Sequence, residues 1–292
     1  MGLRLQQVYR CDLLSTAVPL QAVSIGPMLN HDAVVTGVVH SSFPHALNMV
    51  VGDDLWTLLS LGKSDLPFGI RVAADTLAGL PICPGDRVSV RGGFLAVGMQ
   101  GVVVDFRAAP HWRVSPPARL SPGIEERLAI VARVTAANAW SESSNIAFDV
   151  MTYLANKANV PTDLLTHVVG RGPGLTPAGD DVLAGILAIL ALPQTGDRGH
   201  AARTTLTRLL RTLLPMTTSL SGSLLQQAAA GQFSKAVHEL LFTLVAAPSI
   251  AELMRAIANM LTIGATSGAD TCMGIVAAAR NFLAPTAFGE AA

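Results

Sequence analysis

The chain is poor in charge: only 14% of its 292 residues are Asp, Glu, Lys or Arg, against roughly 25% in an average soluble domain. So few charges cannot cover a surface generously, and interface cores are depleted in Lys, Glu and Asp. Part of the surface is therefore expected to face another chain, either a different subunit or a second copy in a homo-oligomer. The charge present cancels, with 20 Lys plus Arg against 20 Asp plus Glu. No basic field exists to draw nucleic acid, and aromatics at 5% leave little for base stacking. Cysteine is scarce too. Cys11, Cys83 and Cys272 form neither a disulfide framework nor a metal-ligand spacing, which fits a reduced, cytoplasmic setting. Long apolar runs are also missing. The N-terminal MGLRLQQVYRCDLL lacks the apolar stretch of a signal peptide. The most membrane-like segment, residues 182–192, has about half the length of a bilayer span and reads as a buried helix. Finally, the seven histidines show no ligand spacing, and neither a nucleophile elbow nor a Ser/His/Asp order is visible.

What is present is apolar patterning of two kinds. From about residue 28 to 106 the texture is strand and turn. Residues 33–39 are β-branched and short, 47–51 and 55–61 follow, and 87–91 (RVSVR) alternates as a half-buried strand does. Gly92-Gly93 turns the chain into 94–97, and 101–104 continues it. Several short strands so closely spaced predict a small barrel or sandwich. The stretch 110–122 carries Pro110, Pro116, Pro117 and Pro122 and reads as a linker. Beyond it the period becomes helical in nine segments, starting near 124, 144, 162, 177, 201, 219, 235, 250 and 267. The expected class is α+β: a β-rich N-terminal domain over 1–115 and a helical domain over 116–292.

The most unusual stretch is GRGPGLTPAGDD, residues 170–181. Gly172 and Gly174 permit close backbone approach. Thr176 before Pro177 is a good N-cap with proline at the first helical position. Asp180 and Asp181 then open a helix apolar on every side, which should be buried. Carboxylates at the mouth of a buried helix need partners. They either complement the helix dipole or line a ligand pocket, with Mg²⁺ as the hard cation such oxygens would take. No Gly-Lys-Ser/Thr follows, and no strand-helix-strand unit surrounds the loop, so neither a Walker A nor a Rossmann site is indicated. The junction 264–270 (GATSGAD) follows the same logic in miniature. Ser267 and Asp270 form a capping-box-like pair, with Thr266 and Gly268 beside them. The two junctions are a faint echo of each other, short of an internal repeat. If they meet, their helix-start amides would form a composite anion site. Between them, TTSLSGS at 217–223 puts Ser219 and Ser223 on one helix face, either a solvated helix start or a pocket wall.

Together, GRGPGLTPAGDDVLAG, TTSLSGSLLQQAAAGQF and GATSGADTCMG resemble the AllH-like family in order and spacing, over roughly residues 168–283. The resemblance implies a bacterial, cytoplasmic subunit of an oxamate carbamoyltransferase-like complex in purine and allantoin nitrogen catabolism. Its partners would be an FdrA-like subunit of acyl-CoA-synthetase type and a second, larger chain. The implied chemistry is carbamoyl transfer between carbamoyl phosphate and a small amide or acid. One departure is Ala265, where family members often carry His. On this reading Asp180, Asp181 and Asp270 are the candidate catalytic residues. Arg171, Gly172, Gly174, Thr176, Ser219, Ser223, Thr266, Ser267 and Gly268 are the candidates for binding a small anionic substrate, with the helix-start amides steadying an oxyanion. Two other readings remain at this point: a non-catalytic scaffold whose motifs are packing devices, and an independent hydrolase holding Mg²⁺ on Asp180 and Asp181.

Overall fold

The computed structural model describes residues 17–99, 101–114, 117, 119–157, 161–246 and 248–283, the side chains of 156 and 157 excepted. The N-terminal stretch, Cys11 and Pro116 lie outside the described residues. The chain divides into two compact units with the boundary at Arg113–Val114.

Eight strands build the first unit: β1 (Val18–Ile25), β2 (Val34–Phe43), β3 (Ala46–Val51), β4 (Asp54–Leu59), β5 (Gly69–Val72), β6 (Arg87–Arg91), β7 (Phe94–Val97) and β8 (Val102–Asp105). They close into a barrel in the order β1-β5-β4-β3-β2-β6-β7-β8. Closure comes from parallel pairing of β1 with β8, Val18 opposite Val102. The open alternative, a sandwich, is thereby set aside. Period-two alternation turns Val88 and Val90 of β6 inward and leaves Arg87, Ser89 and Arg91 outside. Gly92 and Gly93 have φ of 55° and 76°, the left-handed pair a two-residue hairpin needs to match strand twist. Val88, Val90, Leu95, Val97, Val102 and Val104 from β6–β8 meet Met49, Leu58 and Ile70 in the barrel core. One polar knot is buried with them, where Ser24 Oγ donates to Asp65 Oδ1 at 2.5 Å and Arg71 Nε lies 3.2 Å from the same oxygen.

The second unit is helical: α1 (Ile124–Thr135), α2 (Ser143–Lys157), α3 (Thr162–Val168), α4 (Ala178–Leu190), α5 (Gly196–Leu213), α6 (Ser219–Ala229), α7 (Lys235–Ala246), α8 (Ile250–Leu261) and α9 (Ser267–Phe282). Helix α4 is the axis of this unit, with all its residues buried except Asp181 and Ala184. Its sequence lacks a polar face, so it is stable only when surrounded. Helices α4 and α9 touch backbone to backbone. A Cβ on Gly185 would lie 2.0 Å from the Thr271 carbonyl oxygen, and one on Gly274 would lie 2.1 Å from that of Val182. Only glycine allows that approach. Arg127 of α1 is buried and donates to the carbonyls of Leu244 (2.7 Å), Pro122 (2.6 Å) and Ser121 (3.0 Å), stapling the segment before α1 to the end of α7. Among the described residues no single helix is long and apolar enough to cross a membrane.

Candidate functional site

Four segments of the helical unit meet where α4 and α9 begin: residues 140–143, the loop 170–177, residues 217–221 and residues 263–270. The loop before α4 is fixed from within. Gly170 and Gly172 have φ of 75° and 112°, and the Gly179 N–H donates to the Arg171 carbonyl at 2.9 Å. It is also held from outside. Thr218 Oγ1 donates to the Leu175 carbonyl at 2.5 Å, Thr176 Oγ1 and Ser267 Oγ are 2.8 Å apart, and Arg171 Nε donates to Glu142 Oε2 at 2.9 Å.

The three acids have different surroundings. Asp180 is 2% exposed. Its Oδ1 accepts the Gly170 N–H at 2.9 Å, while Oδ2 accepts Ser221 Oγ at 2.6 Å and the Thr217 hydroxyl. These three bonds tie α4, its preceding loop and the start of α6 together. Asp270 is fully buried. Its Oδ1 accepts the Trp140 N–H and the Ser143 hydroxyl, each at 2.7 Å, and its Oδ2 has no hydrogen-bond partner. Asp181 is half-buried, with Oδ2 sealed from solvent and likewise unpartnered. Burial pushes the Asp181 carboxyl well above the usual carboxylate range. The hydroxyls of Ser267 and Thr176 pull it back, and the charges of Asp270 and Asp180 raise it further. Burial, with Asp270 nearby, also pushes the Cys272 thiol up to about 12, so that sulfur is an inert core atom.

Several expectations need correction. Thr176 does not cap α4; the helix starts after Pro177 without a side-chain cap, and the Thr176 hydroxyl is at Ser267. No capping box forms at α9 either, because Asp270 turns away to Trp140 and Ser143. Gly268 is a packing residue, since a Cβ there would lie 1.8 Å from the Met260 carbonyl oxygen, and its amide donates to Ile263. Thr266 supplies its carbonyl to the Asp270 N–H at 2.9 Å. The N–H groups of Gly179, Asp180, Asp181, Gly268 and Asp270 all donate to nearby carbonyls, so these five are not open to an anion. Ser219 is exposed, and Ser223 donates to the Ser219 carbonyl at 2.9 Å. Their neighbours Thr217 and Ser221 are the hydroxyls that reach inward. Gly174 stands in open space at φ 94°, and Arg171 points at Glu142. Neighbouring helix residues diverge by about 100°, and Asp180 and Asp181 serve different elements. Among the described residues no group of three or more His, Cys, Asp or Glu is arranged to hold a metal ion. Trp140, Glu142 and Ser143 went unnoticed in the sequence, where nothing marks them. A groove of about 430 Å³ lined by His238, Phe242 and Arg255 contains none of the expected site residues.

One signal was present in the sequence and is legible only against this geometry. GDDVLAG (179–185) and GADTCMG (268–274) share the pattern Gly-x-Asp-x-x-x-Gly. The contacts repeat with it. Gly185 meets Thr271 and Ile275, and Gly274 meets the equivalent Val182 and Ile186. Asp181 and Asp270 stand four residues before these glycines, hence on the same helix faces one turn earlier. The echo is a local two-fold contact with an acid from each side.

A closed barrel followed by a helical unit with paired acid-bearing helix starts defines a two-part protein whose polar site lies in its second part. Residues 168–279 match the family described as oxamate carbamoyltransferase subunit AllH, and residues 21–111 match the AllH family N-terminal domain. The chain belongs to the AllH family. No solved structure matches it.

Proposed function

We propose that this chain is one subunit of a carbamoyltransferase and contributes to the transfer site the polar cluster at the start of α4 and α9. The observation that carries the reading is the convergence of segments from the family-matched region 168–279 on two sealed carboxylate oxygens without partners. An unsatisfied buried acceptor is costly, and such a cost is retained where a ligand or proton relieves it. The acceptors present suit the –NH₂ end of a carbamoyl group. A phosphate or carboxylate is poorly served here: Arg171 is the single Lys or Arg in 140–143, 170–181, 217–221 and 263–270, and it is already paired with Glu142. The cations for carbamoyl phosphate would come from partner chains, an FdrA-like subunit and a larger one. That division of labour accounts for a subunit with so little charge. A bacterial, cytoplasmic role in purine or allantoin nitrogen catabolism follows from the same family reading.

The test is co-expression with the two partner chains, followed by measurement of assembly and of the carbamoyl-transfer rate. Asp181→Asn should leave assembly intact and lower the rate at least tenfold. A full rate in the assembled Asp181→Asn complex would establish the second reading, a docking subunit. The backbone-close glycines at Gly179, Gly185, Gly268 and Gly274 favour that alternative, since each serves packing.

A further inference from the structure

We propose that Asp181 and Asp270 share a single proton across the contact between α4 and α9, and that this pair is the acid–base group of the site. Four observations lead to it. The two carboxyls occupy equivalent positions of the Gly-x-Asp-x-x-x-Gly pattern. Each stands one turn before the glycine at which the two backbones touch, so both are on the contacting faces. Each has one sealed oxygen, Oδ2, with no hydrogen-bond partner. Their other contacts are donors: Trp140 N–H and Ser143 for Asp270, Ser267 and Thr176 for Asp181.

Two ionised carboxylates on contacting helix faces, each with one oxygen sealed from solvent, repel, and one proton held by the pair relieves both the repulsion and the unsatisfied acceptors. The other titratable groups near the pair do not supply a counter-charge. Asp180 adds a negative charge, Cys272 is neutral, and the Arg171 guanidinium is bound to Glu142. The surroundings divide the labour. Asp270, buried and held by two donors, is a positioning residue that fixes one side of the pair. Asp181, half-buried beside Thr176 and Ser267, is the member a ligand can reach.

The chemistry rests on the carbamoyltransferase reading. When an amide nitrogen attacks the carbamoyl carbon of carbamoyl phosphate, a carbon–nitrogen bond forms. The carbon–oxygen bond to phosphate breaks, and phosphate leaves with the electron pair. The nitrogen loses a proton to the ionised member of the pair. That proton then departs with the phosphate as hydrogen phosphate, and the pair again holds one.

The existence of the pair is tested on the full chain alone, without substrate or partners. Infrared spectra of protein labelled with ¹³C-aspartate should contain one protonated, buried carboxyl band at neutral pH that is absent from Asp181→Asn and shifted in Asp270→Asn. Unfolding in weak buffer at neutral pH should release one proton more from the wild type than from Asp181→Asn, a readout that also serves if Asp270→Asn folds poorly. A wild-type spectrum lacking the band, or a band that survives in Asp181→Asn, overturns the pair. If the band is present but the assembled Asp181→Asn complex transfers carbamoyl at the wild-type rate, the acid–base role is overturned while the pair remains as structure.

Discussion

Replacing Asp180 and Asp181 one at a time by Asn should move stability in opposite directions, although the two are adjacent and both open α4. Asp180 accepts three hydrogen bonds, from Gly170 N–H, Ser221 and Thr217. A hydrogen bond to a charged group contributes about 1.5–3 kcal/mol. Asn keeps one acceptor oxygen and turns an amide donor toward hydroxyls that were themselves donating. Rotation of those hydroxyls recovers part of the loss, which leaves a cost of about 2–4 kcal/mol. Asp181 is the reverse case, a carboxyl whose sealed oxygen faces no donor. Asn at this position is neutral without taking up a proton, so stability at neutral pH should be equal or higher. The pH dependence follows from linkage. The folded chain holds the Asp181 proton more tightly than the unfolded chain, in which the carboxyl titrates near its ordinary value of 3.8. Below that value both states are protonated and Asp181 is neutral to stability. As pH rises through the window up to the raised folded value, the unfolded chain ionises first and stability falls. Asp181→Asn should remove that part of the slope. The assay is denaturant unfolding of the full chain, followed by far-ultraviolet circular dichroism across a pH series. Destabilisation by both variants, or a harmless Asp180→Asn, would refute the division of roles.

Cys83 is exposed and Cys272 buried, so in Cys11→Ser protein a thiol reagent at neutral pH should label Cys83 alone until denaturant is added; prompt labelling of two thiols would contradict the burial. Gly185→Ala and Gly274→Ala each force a methyl onto a backbone carbonyl, and each should lower stability by the upper part of about 1–3 kcal/mol, measurable as a shift in denaturation midpoint. Arg127→Ala orphans three carbonyls and should cost about 2–4 kcal/mol; a change below 1 kcal/mol, taken as roughly the worth of an exposed pair, would rule out the staple. The low charged fraction predicts that the isolated chain self-associates, which light scattering would detect; a clean monomer would count against a hidden surface.

How much of the fold is legible depends on how local its causes are. Strand β6 announces itself because RVSVR alternates and Gly92-Gly93 closes its hairpin within four residues of sequence. Strand β1 does not, since its pattern includes a buried Ser24 whose partners, Asp65 and Arg71, are 41 and 47 residues away. Strand β5 is four residues long and contains that same Arg71. Parallel closure of the barrel is longer in range still, and no local period reports it. The helices were readable from apolar spacing, yet α5 starts at Gly196, ahead of the expected 201. Gly196 and Gly199 read as loop, whereas Gly199 packs against Thr195.

At the site, residue type was informative and direction was not. Glycine and aspartate clustered before an apolar helix marked the place, because such a cluster is costly unless something compensates it. The assignment of tasks required knowing which side chains share a face. The hydroxyls of 217–223 illustrate this: Ser219 and Ser223 share a helix face, while Thr217 and Ser221 are the pair that reaches Asp180. Asp180 faces back toward the loop before its own helix, so the segment just outside α6, Thr217, meets it together with Ser221. The same geometry makes the Gly-x-Asp-x-x-x-Gly repeat informative. Glycine four residues after an acid places that acid on the face where two backbones can touch. The starts of α4 and α9 lie together, with the Thr176 and Ser267 hydroxyls 2.8 Å apart, so Asp181 and Asp270 stand on the same side of that contact. The close approach that admits no Cβ at Gly185 or Gly274 thus lies one turn from the two Oδ2 atoms that have no hydrogen-bond partner. In this protein the packing motif and the acid pair share one helix face, so enlarging either glycine should disturb the titration of Asp181 before it disturbs the partner chains.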